Sequence, residues 1–258
     1  MLTNEKMWQI AMMQSAEDLG CRAEDFLSKK NILVPFKLGK KARKYLKLPI
    51  TCNFVSYGNN VVAGVTSEVS EIVNEYINKF EFYHCFETPN MNWLNERIEK
   101  FGHKVCFMAE YFLPKIDVIQ NQNFSCGYDL RILTQKDFEN LYLPQWSNAL
   151  CEKRKELDIL GVGAFDGEKL IGLAACSADG EDMWQIGIDV LPEYRKKGIA
   201  STITGKLAYE ILARDKVPFY CAAWSNLPSV RNAQKSGFVP AWIEMSVKPK
   251  AIADEFNK

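Results

Sequence analysis

Within residues 183–201 the chain changes its repeat, from a strand that ends near Val190 to a helix that opens near Ala200. Pro192 cannot donate to a ladder, so the strand stops before it, and Lys197-Gly198 opens a helix running to about Arg214. A turn of this kind gathers unpaired backbone N–H groups, here from Arg195 through Ile199 to Ser201, around one point at a helix N-terminus. Such a point binds an anion. Gly198 has no Cβ to block a close approach, Ala200 is small, and Arg195, Lys196 and Lys197 add cationic side chains. With a pyrophosphate seated there, the strand end at Ile188 and Val190 offers N–H and C=O groups to an extended amide chain. Pantetheine is such a chain.

Elsewhere, apolar spacing predicts helices over 4–19 and 23–28, and a helix with a cationic face, read as solvated or as a dock for an acidic partner or substrate tail, over 37–47, where six basic residues surround Leu38, Ala42, Tyr45 and Leu46. Two β-rich runs, 51–57 and 61–66, flank Gly58-Asn59-Asn60 as a hairpin. Helices over 67–80 and 92–101 and a strand over 104–112 follow. Residues 115–127 lack periodicity and mark a boundary. Beyond it the pattern reads strand (128–133), a mostly helical stretch broken at Pro144 (134–155), strands (159–165, 169–177, 183–190), helix (198–214), strand (219–223), helix (227–235) and strand (239–247).

This predicts an α+β chain of 258 residues in two domains, 1–125 and 126–258. Both halves read hairpin, helix, strand, helix, strand, and Glu99-Lys100-Phe101-Gly102 echoes Gln234-Lys235-Ser236-Gly237. The first domain is therefore either a degenerate repeat of the second or an unrelated small α+β arrangement.

Thirty-two basic and thirty-two acidic side chains cancel, so no global field favours nucleic acid or an anionic membrane, and any anion site is local. Eight scattered cysteines without a C-x-x-C pair read as reduced core residues, and no metal site is expected; His84 and His103 have no metal-ligand companions. No leader-like apolar region and no membrane-length run is present, so a cytoplasmic address is expected. Only the last few residues suggest disorder. The composition suits a monomer or a homodimer.

Lys-Lys-Gly alone is compatible with a well-capped turn, but the longer string Val190-x-Pro192-x-x-Arg195-x-x-Gly198-Ile199-Ala200 is followed by Asn226-x-x-Ser229 and Gly237-Phe238. Arg195-Lys196-Lys197-Gly198-Ile199-Ala200 resembles the Arg/Gln-x-x-Gly-x-Gly/Ala motif of the GNAT acyltransferase superfamily, and the element order after residue 127 is similar to its fold, a mixed, mostly antiparallel sheet flanked by helices. The layout also resembles two-domain acetyltransferases that include zwittermicin-type resistance proteins. The resemblance implies acetyl-CoA as cofactor, with Arg195 to Ala200 on the pyrophosphate, Ile188 and Val190 on the pantetheine arm, and Asn226 and Ser229 touching the coenzyme from the other side.

The superfamily's usual acid, a Tyr seven residues after the Asn, falls at Ala233, and its usual base falls at Ile186 or Trp184. Asp182 and Asp189, on or beside the same strand, are the candidate proton relays, each also readable as a structural carboxylate. Trp184 and Trp224 either wall a substrate pocket or pack. The expected function is transfer of acetyl from acetyl-CoA to a primary amine of a small molecule, with the N-terminal domain, residues 1–125, forming part of the acceptor site. The alternatives are a non-catalytic acyl-CoA-binding module, and a protein or peptide acetyltransferase that recruits an acidic partner through residues 37–47.

Overall fold

The computed structural model describes residues 2–47 and 49–255; the last three residues, where the sequence suggests disorder, lie outside the described part. In chain order the elements are α1 (Asn4–Leu19), β1 (Ile32–Pro35), β2 (Cys52–Ser56), β3 (Val62–Val65), α2 (Ser70–Lys79), α3 (Thr88–Ile98), β4 (His103–Pro114), α4 (Ile116–Asn121), β5 (Asp129–Thr134), β6 (Asp158–Asp166), β7 (Lys169–Ser177), β8 (Met183–Val190), α5 (Ile199–Leu212), β9 (Val217–Ala222), α6 (Leu227–Lys235), β10 (Phe238–Pro249) and α7 (Lys250–Glu255), joined by loops and short 3-10 turns.

The backbone forms two compact units, one of Met1–Ile10 with Phe112–Pro240 and one of Ala11–Tyr111 with Ala241–Lys258. A boundary at 125/126 falls inside the first of these, and residues 241–258 belong with 11–111. The reason is a non-local ladder. β10 pairs antiparallel with β2, from Ile243↔Ser56 to Val247↔Cys52, and such pairing leaves no mark on the local periodicity from which a boundary is read.

In the 11–111/241–258 unit the strand order is β1-β3-β2-β10-β4. β2 and β3 form the expected hairpin, with Cys52↔Val65 through Val55↔Val62 in register. β1, unanticipated because it is short and ends in Pro35, adds in parallel to β3. The stripe Val73, Tyr76 and Ile77 of α2 packs with Phe54, Ala63, Leu94, Ile98 and Met245 in one buried cluster, as a three-four spacing requires.

The expected cationic helix over 37–47 is absent. Its only regular element is a 3-10 turn, Lys44–Lys47. Here the backbone N–H groups of Lys37 and Gly39 donate to Leu19 O (3.3 Å) and Glu17 O (2.7 Å), and that of Arg43 donates to Asp18 Oδ1 (2.8 Å). The Arg43 side chain is only 2% exposed and ion-pairs with Asp18 and with Glu244. A residue read as one of a solvated face is the centre of a buried charge cluster.

In the 1–10/112–240 unit the order is β9-β8-β7-β6-β5. Neighbours from β5 to β8 are antiparallel and β8 pairs parallel with β9. One face carries α5, whose Ile199, Ile203, Leu207 and Ile211 are buried with Val162, Ile171, Ala174 and Ile186. On the other, Phe138, Trp146, Ala149 and Leu150 cover Leu173 and Ala175 of β7.

The covering stretch, expected as mostly helix, is three 3-10 segments: Gln135–Phe138, Pro144–Trp146 and Glu152–Leu157. Pro144 breaks the helix, and carboxylates take N–H groups that a helix would have spent on itself. Asp189 accepts from the backbone of Asn148 and Ala149, and Asp158 from that of Cys151 at 2.8 Å. Among the described residues no helix is long and apolar enough to cross a membrane.

Candidate active site

β8 and β9 run side by side only briefly. Met183↔Val217, Trp184↔Pro218 and Gln185↔Phe219 are in register, and past Gln185 the remaining residues of β8 pair with β7 alone among the described residues, out to Gly172↔Val190. The outer edge of β8 from Ile186 to Val190 is therefore a row of peptide groups open to an extended chain. Both strands lead into helices at their carboxyl ends, β8 into α5 and β9 into α6. The two groups of candidate residues thus stand at the same end of a forked strand pair, at the carboxyl ends of its two parallel strands.

The turn after β8 is built for an anion. Lys196 and Gly198 have positive φ, 64° and 82°, in alternation with ordinary conformations, which turns successive N–H groups toward a common point. Gly198 caps α5, and the first N–H to bond back is that of Thr202, to Gly198 O at 3.1 Å. Those of Ile199, Ala200 and Ser201 belong to the first turn and have no intrahelical acceptor. A β-carbon on Gly198 would meet nothing within 4 Å. Glycine is required here by its φ, and the open space beside it is room for a ligand.

The charged side chains are arranged around that space. Arg195 Nε donates to Val190 O at 3.0 Å, which ties the turn to the strand end. Lys197 Nζ reaches the Tyr128 hydroxyl at 3.3 Å and stands 5.0 Å from the centre of the Tyr194 ring. Lys196 is exposed. Ile199 contributes its backbone only, because its side chain is buried under α5, and Ser201 Oγ bonds Gly198 O at 3.0 Å. After β9, Asn226 Oδ1 accepts the Ser229 N–H (3.3 Å) and so caps α6, while Ser229 Oγ shares a 2.7 Å bond with the Tyr220 hydroxyl.

Alternation along β8 sorts its side chains. Trp184, Ile186, Ile188 and Val190 join the α5-side core; Gln185, Gly187 and Asp189 take the opposite face. The positions of the usual base are thus packing residues, and Ala233, at that of the usual acid, is fully buried beside Tyr220 and Phe238 in the same cluster. Trp224 is half exposed in the loop after β9.

The two acidic candidates have partners of their own. Asp182 precedes β8 at the end remote from the turn and binds Lys216 Nζ at 3.0 Å. At about 3.3 Å per residue it stands more than 10 Å along the strand from the fork. Asp189 accepts three bonds, from Asn148 N (2.9 Å), Asn148 Nδ2 (2.7 Å) and Ala149 N (2.9 Å). Neither stands as a free base at the fork. Sequence reasoning did not single out Gln185, whose amide donates to Cys221 Sγ at 3.2 Å across the base of the fork, nor Asn148. The one local signal was Gly187, a glycine inside a strand, which often marks the close approach of another backbone. A β-carbon there would overlap the Asn148 carbonyl oxygen and lie 3.0 Å from its carbon.

Comparison with known proteins shows what the chain is similar to. Among solved structures, a GCN5-related N-acetyltransferase from Kribbella flavida superposes with a TM-score of 0.51 over 78% of this chain and 88% of its own, at 10% identity. A GCN5-related N-acetyltransferase-like protein from Streptococcus suis gives 0.44 over 62% and 68%, at 18% identity. An acetyltransferase of the GNAT family from Novosphingobium aromaticivorans gives 0.40 over 57% of this chain, at 16% identity; the match spans 66% of that protein, just under two thirds of its length. No curated protein sequence matches. The family model described as GNAT acetyltransferase matches residues 47–241, about three quarters of the sequence, and the chain belongs to that family.

Proposed function

We propose that this protein transfers acetyl from acetyl-CoA to a primary amine of a small molecule. The observation that carries the reading is the fork: an unpaired β8 edge ending in an N–H cradle with Lys196 and Gly198 in left-handed conformations. The parts fit coenzyme A in order. The first turn of α5 suits the pyrophosphate, the edge from Ile186 to Val190 suits the amides of the pantetheine arm, and Asn226 and Ser229 flank the other side.

A neutral amine attacks a thioester carbonyl directly once both are held in place and an N–H polarises the carbonyl oxygen. The new C–N bond forms, the C–S bond breaks with its electron pair on sulfur, and water takes the amine protons and returns one to the thiolate. No side-chain base is required by this scheme, which accords with the engaged state of Asp182 and Asp189. Titration with acetyl-CoA, followed by a thiol-release assay over a panel of primary amines, tests it. Micromolar binding with turnover on at least one amine is expected; no binding would overturn it.

One observation favours a second reading, a non-catalytic acyl-CoA-binding module. Ala233 stands buried where the usual acid would be. That reading predicts binding with no turnover on any amine. A protein acceptor drawn by residues 37–47 has less support, because Arg43 faces the interior.

A further inference from the structure

We infer that the backbone carbonyl of Asn148, held in place by Asp189, receives the acceptor amine at the fork, and that the acceptor is accordingly a cationic aminoalkyl compound. The inference rests on the acetyl-transfer reading above and adds where the second substrate stands and what it is.

The fork has two faces. On the α5 side the buried side chains of Ile186, Ile199, Ala233 and Phe238 share one apolar cluster, with Ile188 and Val190 packed against it. On the other, Gln185, Gly187, Asp189 and Cys221 retain partial exposure and Asn148 is exposed. An acceptor can approach from that face. Beside Gly187 on that face stands the Asn148 carbonyl, whose oxygen lies so close to the strand that a β-carbon at 187 would overlap it. A carbonyl accepts N–H bonds and donates none, so it orients an amine with its lone pair free.

The carbonyl is not left to chance. Asp189 accepts the Asn148 N–H, the Asn148 side-chain amide and the Ala149 N–H, all within 2.9 Å, and Ala149 and Leu150 anchor the loop in the cluster over β7. Three bonds onto one carboxylate fix the loop to β8. They also leave a negative charge one residue along the same face from Gly187, which attracts an ammonium to the recess before it sheds its proton to water. Asp189 is therefore a positioning residue, acting through Asn148.

The test measures initial rates of CoA release with the best amine of a panel comprising ethylamine, 1,5-diaminopentane, tyramine and lysine, using wild type, Asp189→Asn and Asn148→Ala. The expected result is an acceptor KM raised at least tenfold in Asp189→Asn and less in Asn148→Ala, with kcat within about threefold and the acetyl-CoA Kd within twofold of wild type. Cationic acceptors should also lose their advantage over neutral hydroxylamine in Asp189→Asn. Should Asp189→Asn melt below the assay temperature, Asn148→Ala carries the measurement. Unchanged acceptor KM in both variants, or a parallel loss of acetyl-CoA affinity, overturns the inference while leaving acetyl transfer intact. Absence of turnover on every amine by wild type overturns both.

Discussion

Gln185 and Phe219 form the last register pair between the parallel strands β8 and β9. Beyond them each strand heads for its own helix. Immediately past that pair the Gln185 amide donates to Cys221 Sγ at 3.2 Å, so the fork is pinned at its base on the face away from α5. A sheet edge opened by divergence keeps its peptide groups aligned by the neighbour on the other side, here β7, and is ready to bond a chain without rearranging.

The anion cradle should show its backbone requirement through two substitutions of opposite sign. Gly198→Ala places a Cβ at φ 82°, a conformation that costs an L-residue about 1–2 kcal/mol. Thermal melting should fall, and the acetyl-CoA Kd should rise at least fivefold as the cradle distorts. Lys196→Gly relieves a non-glycine residue at φ 64°, so its melting temperature should equal or exceed that of wild type. Calorimetric melting and acetyl-CoA titration of both variants check the pair.

The buried charge cluster around Arg43 makes a different prediction. Arg43→Leu leaves Asp18 and Glu244, both under 5% exposed, without their shared cation. Removing one partner of a buried ion pair costs about 3–5 kcal/mol. The urea midpoint should drop accordingly, whereas Lys40→Glu and Lys44→Glu, at exposed positions, should stay within about 0.5 kcal/mol of wild type. Equal effects from all three would mean that the segment is a solvated face after all.

These contrasts show where the sequence was legible. The strand, turn and helix from Met183 to Leu212 were readable because each is set locally, by alternation, Pro192 and Gly198. Residues 37–47 and 134–155 were misread for a common reason. Their spacing is helical, but N–H groups in both are taken by partners outside the segment: Leu19 and Glu17 carbonyls and the Asp18 carboxylate for the first, Asp189 and Asp158 for the second. Asp189 was singled out as a candidate for chemistry, yet nothing near it in sequence reveals that its partners lie forty residues upstream. Gly187 was the legible trace of that contact.

Asp158 gives the stability a pH dependence whose sign is testable. Burial is the main cause that lifts its carboxyl from 3.8 to about 6, opposed by the Cys151 N–H, the Tyr142 hydroxyl and the Arg154 charge. Below about pH 4 the group is protonated folded and unfolded alike. Between about 4 and 6 the folded state holds the proton more tightly, so stability falls as pH rises, and above 6 the full cost of a buried carboxylate is in place. Two pH units of displacement correspond to a loss on the order of 2–3 kcal/mol across that window. Asp158→Asn keeps an oxygen for the Cys151 N–H and carries no charge, so its urea midpoint should be flatter between pH 4 and 7 and exceed that of wild type at pH 7. A wild-type midpoint that rises through this window in parallel with that of the variant would assign the acid limb to other carboxylates and overturn the raised value.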